Sequence, residues 1–392
     1  MSVLPLKARL LGEFQLYHGE TPLGDVLSPR LQSLLAYILV HRETSLSRQQ
    51  LAFVQAAAAT DDPVEQARLT GRRVAALNGS HRFQEAEQAY QEAMSFLDAI
   101  PTAARDERAW HVWLDLQFSL LDVLYFEHNR AEMPPILAAM AAPLEAYGTP
   151  RQRSQYAHFR ARMKFLSLSF RFELDHEAVA LAAESLHWAQ QADDDAFIAS
   201  QTFTLGFALL WAGQLDAAID HLRQAATRME TLGIVPNHSR SLTYLGIAYR
   251  LQGDAGRVQQ LLEQHDAVFA ADANPHYLGV AAAQRARRAW RAGDRAAAAA
   301  QAQADLVQWG PLDQTAYPIQ WLARLPLLAS ALETGESAAA REQAALLLSP
   351  HLQGLAGPVE DALRAAVAAS SASAAGTHLQ QACRHAQEHG YL

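Results

Sequence analysis

Cysteine is almost absent from this chain. Cys383 is the only one in 392 residues, which excludes an internal disulfide framework and a cysteine-rich zinc site. Lysine is nearly as scarce: Lys7 and Lys164 are the only two among 32 basic residues, the rest being arginine. Neither lysine ends a glycine-rich phosphate loop, so no nucleotide or other cofactor is expected. No run approaches eighteen uncharged apolar residues, so no membrane span is expected. The segment Met1 to Lys7 lacks the charged-then-apolar order of a signal peptide, and a cytoplasmic location is expected. A basic balance is missing too: the net charge is −9, which argues against a surface devoted wholly to nucleic acid. What the chain has in quantity is apolar surface, half of its residues, much of it alanine that lets helices pack closely.

Gly213, Gly253 and Gly293 stand forty residues apart, each closing one amphipathic stretch just before the next opens. The first unit reads Leu205-Gly206, Leu209, Gly213, Ala218, Leu222 and Ala225. The second reads Leu245-Gly246, Tyr249, Gly253, Val258 and Leu262, and the third keeps Ala289, Gly293, Ala298 and Ala302. This spacing resembles the tetratricopeptide (TPR) helix–turn–helix unit, whose turn needs a residue at positive φ. Ala86, Tyr90 and Ala93 repeat the spacing of Ala218, Leu222 and Ala225, and Gly335 with Ala340 repeats that of Gly213 with Ala218. Helices alone are predicted from Pro63 onward: 64–79 with 84–98, 104–128 with 131–147, 151–174 with 177–192, 195–212 with 215–232, 237–252 with 255–270, 276–292 with 295–309, 313–333 with 337–349, and 358–369 with 375–389. The breaks carry turn chemistry, as at Asp193-Asp194-Asp195, Pro236-Asn237, Ala273-Asn274-Pro275 and Pro311-Leu312-Asp313.

The beginning of the chain reads differently. Residues 8 to 17 alternate with a period of two, and His18-Gly19-Glu20 reads as a turn into a short return strand near Thr21 to Leu23. Ser28-Pro29 opens a helix carrying Leu31, Leu34, Leu35, Ile38 and Leu39, and Ser47 with Gln50 forms a capping box for a second. Leu10-Leu11-Gly12-Glu13-Phe14, Leu27-Ser28-Pro29-Arg30-Leu31-Gln32, Leu34-Leu35-Ala36-Tyr37 and Ser47-Arg48-Gln49-Gln50-Leu51-Ala52-Phe53 occur in order. This block resembles the start of bacterial transcriptional activators of the antibiotic-regulatory (BTAD) type, which open with an OmpR-like winged helix and continue into TPR-like helices. The following helices resemble the TPR sensor arm of large ATP-dependent transcriptional regulators. After Phe53 neither a recognition helix nor a wing is evident, which counts against DNA binding.

The expected fold is therefore mainly α, a TPR-like right-handed α-solenoid with a small, incomplete winged-helix-like α+β N-terminal piece. Its expected domains are a partial winged-helix module over 1–60 and a helical repeat domain over 61–392. The expected function is that of a non-enzymatic, cytoplasmic, transcriptional-regulator-like protein whose TPR arm binds a protein partner or effector. The alternative is a scaffold that never touches DNA, in which the N-terminal piece caps the solenoid.

Arg68, Arg72 and Arg73 are the residues that would meet DNA phosphates if their helix were presented; otherwise they solvate the first repeat helix. The TPR resemblance implies a partner groove lined by the first helix of each pair, at set distances before the turn glycine. Those positions carry Phe203, Phe207 and Trp211, then Arg240 and Arg250, then Arg287, Trp290 and Arg291. Aromatic anchors beside arginine forks suit an acidic protein or peptide partner; the plainer alternative is that the aromatics are core between repeats. Arg153, Arg160, Lys164 and Arg171 fall on one helix face, read as an ordinary exposed face or a cationic stripe. His385-Ala386-Gln387-Glu388-His389 fits an H-x-x-E-H zinc pattern, but a third ligand later in the chain has no place here, so it is read as a chance match. Cys383 is expected to pack between the terminal helices.

Overall fold

The computed structural model describes residues 6–9, 15–18, 21–22, 48–126, 129–165, 176–272, 274–310 and 319–392. The helix expected from Ser28 and most of the BTAD-like motif residues lie outside these, as does Arg171. Among the described residues, three short strands come first: β1 (Leu6–Arg9), β2 (Gln15–His18) and β3 (Thr21–Pro22). They form an antiparallel meander, with Leu6 opposite His18, Arg9 opposite Gln15, and His18 opposite Thr21. The alternation read as one strand over 8–17 is thus two strands paired with each other. A period of two looks the same on both sides of a reversal, so alternation alone does not reveal the turn.

The other elements among the described residues are helices. In chain order the helices are α1 (Arg48–Ala58), α2 (Pro63–Gly79), α3 (Phe83–Asp98), α4 (Glu107–Phe126), α5 (Met133–Tyr147), α6 (Pro150–Phe165), α7 (His176–Ala189), α8 (Asp195–Trp211) and α9 (Leu215–Thr231). They continue as α10 (Val235–Leu251), α11 (Ala255–Asp272), α12 (Pro275–Arg291), α13 (Arg295–Trp309), α14 (Trp321–Glu333), α15 (Ser337–Leu347), α16 (Gly357–Ala368) and α17 (Ala372–Glu388). Local chemistry sets their ends. Carboxylate, amide and hydroxyl side chains at Asp62, Asp194, Asn274, Asp294 and Ser371 accept from backbone N–H groups in the first turns of α2, α8, α12, α13 and α17. Asp106 accepts from Ala109 in the same way, which is why α4 starts at Glu107 and not at 104.

The turn glycines end the first helices by a repeated bond pattern. Gly213, Gly253, Gly293 and Gly335 have φ between 73° and 87°. In all four, the glycine N–H donates to the carbonyl three residues back, and the next N–H donates to the carbonyl five residues back: Gly213 to Leu210 and Gln214 to Leu209, for example. This is the Schellman arrangement, which satisfies carbonyls the helix leaves open. The small residues of the repeat also have a packing reason. A Cβ on Gly206 would lie 2.9 Å from Leu222 Cγ, so α8 and α9 approach there closer than a side chain allows.

Contacts divide the chain into two units, Met1–Gln152 and Arg153–Leu392. In the first, α1 packs on α2, α2 on α3 and α4, and α4 on α5, around Ala67, Val74, Leu77, Ala86, Ala93, Leu97 and Leu116. In the second, α8 packs on α9, α10 on α11, α12 on α13, α14 on α15 and α16 on α17. The first helices α8, α10, α12 and α14 also touch in succession, and their side chains join one continuous core. This is a TPR-like α-solenoid, in which each pair buries its apolar face only against its neighbours. No described helix is long and apolar enough to cross a membrane.

Candidate partner-binding face

The face built by α8, α10, α12 and α14 carries an aromatic seam. The Phe207 ring centroid lies 5.2 Å from that of Phe165, 6.0 Å from Trp211 and 4.9 Å from Tyr244. Phe203 lies 5.7 Å from Tyr244, and the Arg240 guanidinium stacks 4.1 Å above the Phe203 ring. His158 faces the same seam, its Nδ1 3.3 Å from Thr204 Oγ1. Burial, reinforced by the neighbouring Arg162 and Arg240 charges, holds its imidazole well below the usual histidine range and therefore neutral. Phe207, Arg240 and Tyr244 are half-buried, whereas Phe203 is buried and Trp211 is sealed in the core at 1% exposure.

Farther along the face stand arginines whose bonds go to main-chain and amide oxygens. Arg250 is fully buried. Its Nε donates to the Tyr391 main-chain oxygen at 3.1 Å, Nη2 to the same oxygen at 2.5 Å and to Leu322 at 3.2 Å, and Nη1 to Gln284 Oε1 at 3.3 Å. The guanidinium also lies 5.3 Å from the Trp321 ring centroid. Burial, with Arg287 adding a like charge nearby, pulls its pKa well below the arginine norm. Arg287 donates from Nη2 to the main-chain oxygens of Leu392 at 2.7 Å and Gly390 at 3.4 Å, and burial brings its pKa down to about 10. Arg324 donates to Gln320 and Gln343. Arg291 is exposed, while Trp290 is buried and donates from Nε1 to Glu333 at 3.2 Å.

The eight groove positions therefore share one succession of helices but not one exposure. Phe207, Arg240 and Arg291 keep contact with solvent; Phe203, Trp211 and Trp290 are core, and Arg250 and Arg287 are interior struts. Sequence spacing missed Tyr244, Arg324 and above all Gly390–Leu392, the segment those struts hold. The one available signal was Gly390 following a polar helix and leading an apolar Tyr391-Leu392 pair.

Comparison with known proteins gives no matching family model and no matching curated protein. Solved structures do match. A Rap protein complexed with competence and sporulation factor is 10% identical with a TM-score of 0.60, over 84% of this chain and 88% of that one. The quorum sensor NprR from B. thuringiensis, in its apo form, is 11% identical with a TM-score of 0.54, over 72% of this chain and 75% of that one. A signal-transduction ATPase with numerous domains and a tetratricopeptide repeat sensor, from Pyrococcus horikoshii, is 15% identical with a TM-score of 0.52. It matches over 83% of this chain and 54% of its own length. The shared feature is the fold.

The other expected sites fall as follows. Arg68 is held by Glu65 through two bonds, at 2.7 and 2.5 Å, and Arg73 by Glu92 at 3.0 Å; Arg72 is exposed. Their helix, α2, buries Val64, Ala67, Leu69, Val74 and Leu77 as the first helix of a repeat pair. Arg153 stacks near Trp188, Arg160 near Tyr156, and Lys164 pairs with Glu177 at 2.5 Å. His385 Nδ1 lies 2.9 Å from Glu388, and among the described residues no group of three potential metal ligands occurs. Cys383 is half-buried against the core, where burial pushes its thiol up to about 12.

Proposed function

We propose that this is a non-enzymatic regulatory protein whose α8–α14 face binds an acidic peptide or protein segment. The observation that carries the reading is the arginine series Arg240, Arg250, Arg287 and Arg324, set on successive first helices beside the Phe207–Tyr244 aromatic platform. Of these, Arg240 keeps contact with solvent above the Phe203 ring, so an arriving carboxylate can form a charge-assisted bond with it, while the buried members hold the helices that present it. One matched structure is of NprR in complex with its cognate peptide NprX, on a fold of this kind. Residues 1–60, with their BTAD-like motifs, are proposed as a separate N-terminal module ahead of the repeats at 61–392, and the setting as the cytoplasm. The packing of α1 on α2 favours a capping role for that module over DNA recognition. Arg68 and Arg73, already held by carboxylates, argue in the same direction.

The test is fluorescence anisotropy with a labelled pool of acidic peptides and with mixed-sequence duplex DNA, each at about 50 and 200 mM salt. The expected result is peptide binding that weakens about tenfold in Arg240→Ala, with no DNA binding at either salt. Steeply salt-dependent DNA binding without peptide binding would put a DNA-binding regulator in its place.

A further inference from the structure

Helices α11 and α12 face each other along two matched stripes. On α12, Gln284, Arg287, Arg288 and Arg291 stand at offsets of 0, 3, 4 and 7, which puts them on one side of the helix. On α11, Ala255, Val258, Gln259 and Leu262 repeat the same offsets. Together these side chains line a cavity of about 90 Å³, several times the roughly 15 Å³ that a single water needs.

One wall of the cavity is cationic and the other is neutral. The α12 stripe brings three guanidinium groups, whereas the α11 stripe brings a methyl group, two aliphatic side chains and an amide, so no carboxylate lines the space. Arg288 donates from Nη1 to Gln259 Oε1, and Gln259 gives its other end to Glu263. Arg291 is exposed and has no ion pair among the described residues. Its charge acts on Arg287, whose pKa burial brings down to about 10 with Arg291 adding to the fall.

Two buried donors also remain open. Gln284 and Arg287 are each 3% exposed. A guanidinium only donates, so Gln284 must turn its oxygen toward Arg250 Nη1, 3.3 Å away, and its NH2 is the end left over. That Nε2 and the Arg287 Nε have no hydrogen-bond partner among the described residues. Both described hydrogen bonds of Arg287 leave from Nη2. Open buried donors are costly, and an anionic oxygen is the acceptor that satisfies them best.

We propose that the Gln284–Arg287–Arg288–Arg291 cavity binds a phosphoryl oxyanion, either inorganic phosphate or the phosphate of a monoester. A tetrahedral anion presents acceptor oxygens on several sides, which suits donors converging from buried Gln284 and Arg287 and from exposed Arg291; a flat carboxylate offers two oxygens in one plane. Arg288 and Arg291 stand at the solvent side and give the anion its way in. The site shares no residue with the Phe207–Tyr244 platform and does not need the peptide-binding reading.

The test is isothermal titration calorimetry of the full chain with inorganic phosphate and with methyl phosphate, against sodium chloride of matched ionic strength. The expected result is a saturable one-to-one heat that chloride does not reproduce. Arg291→Ala, a change at an exposed position, should weaken binding at least tenfold. Gln284→Leu, which keeps the bulk and removes the buried donor, should weaken it severalfold, with circular dichroism showing the helices retained. Arg223→Ala, an exposed arginine on α9 outside the cavity, should leave it unchanged. Tighter binding of methyl phosphate assigns the site to the phosphate of a larger ligand, and tighter binding of the free ion assigns it to phosphate itself. No saturable heat at millimolar ligand, or equal affinity in wild type and Arg291→Ala, overturns the proposal. If Gln284→Leu loses its helices, Arg291→Ala alone decides. The peptide reading is tested at Arg240 and stands or falls separately.

Discussion

Asp305 shows how much a single buried group can report. It is 1% exposed, and one of its carboxyl oxygens has no hydrogen-bond partner among the described residues. Burial raises its pKa to about 8, against the lowering pull of Arg285. The folded chain therefore keeps this proton over a range in which the unfolded chain has released it, from about pH 4 upward. Stability from this group is complete below about pH 4, falls as pH rises, and levels off above about pH 8. Asp305→Asn removes the titration. Its gain in stability over wild type, read by urea unfolding, should be larger at pH 8 than at pH 5 by about 1 kcal/mol or more; a gain independent of pH would contradict the assignment. Asp305 did not stand out in the sequence, and Arg250 did so only as a groove position, not as a buried cation. Burial of a charge depends on which helices come together, and spacing along one helix does not encode that.

At the scale of the element, the sequence was informative wherever the signal was local. The glycine turns marked the ends of α8, α10, α12 and α14 because the Schellman geometry needs positive φ at one residue. Asp194 and Asn274 marked the starts of α8 and α12 because their side chains bond the first turn. What escaped was non-local: the reversal between β1 and β2, and the return of Tyr391 to a strut 141 residues earlier. The turn account is open to test at Gly213, which has φ +73° and nothing within 4 Å of an added Cβ. Gly213→Ala should cost about 1 kcal/mol from backbone strain alone, and Gly213→Asn about half that, since asparagine tolerates the left-handed region. Equal costs for both, or none, in denaturant titrations would show that the turn does not depend on that conformation.

At the scale of the whole molecule, the repeat pattern made the architecture readable before any coordinates, since each pair repeats one solution to the same packing problem. The candidate face was readable only in outline. Phe207, Arg240 and Arg291 lie where the repeat positions put them and remain in contact with solvent, while Trp211 and Phe203 serve the core, because one face of each first helix must also bind its neighbours together. The proposal puts partner binding on the first helices of the pairs. Hydrogen-exchange footprinting of the full chain with and without the acidic peptide pool tests this most directly, since bound ligand slows opening of the backbone it covers. The account expects added protection concentrated in α8, α10, α12 and α14. Protection confined to the second helices α9, α11 and α13, or to α2, would contradict it.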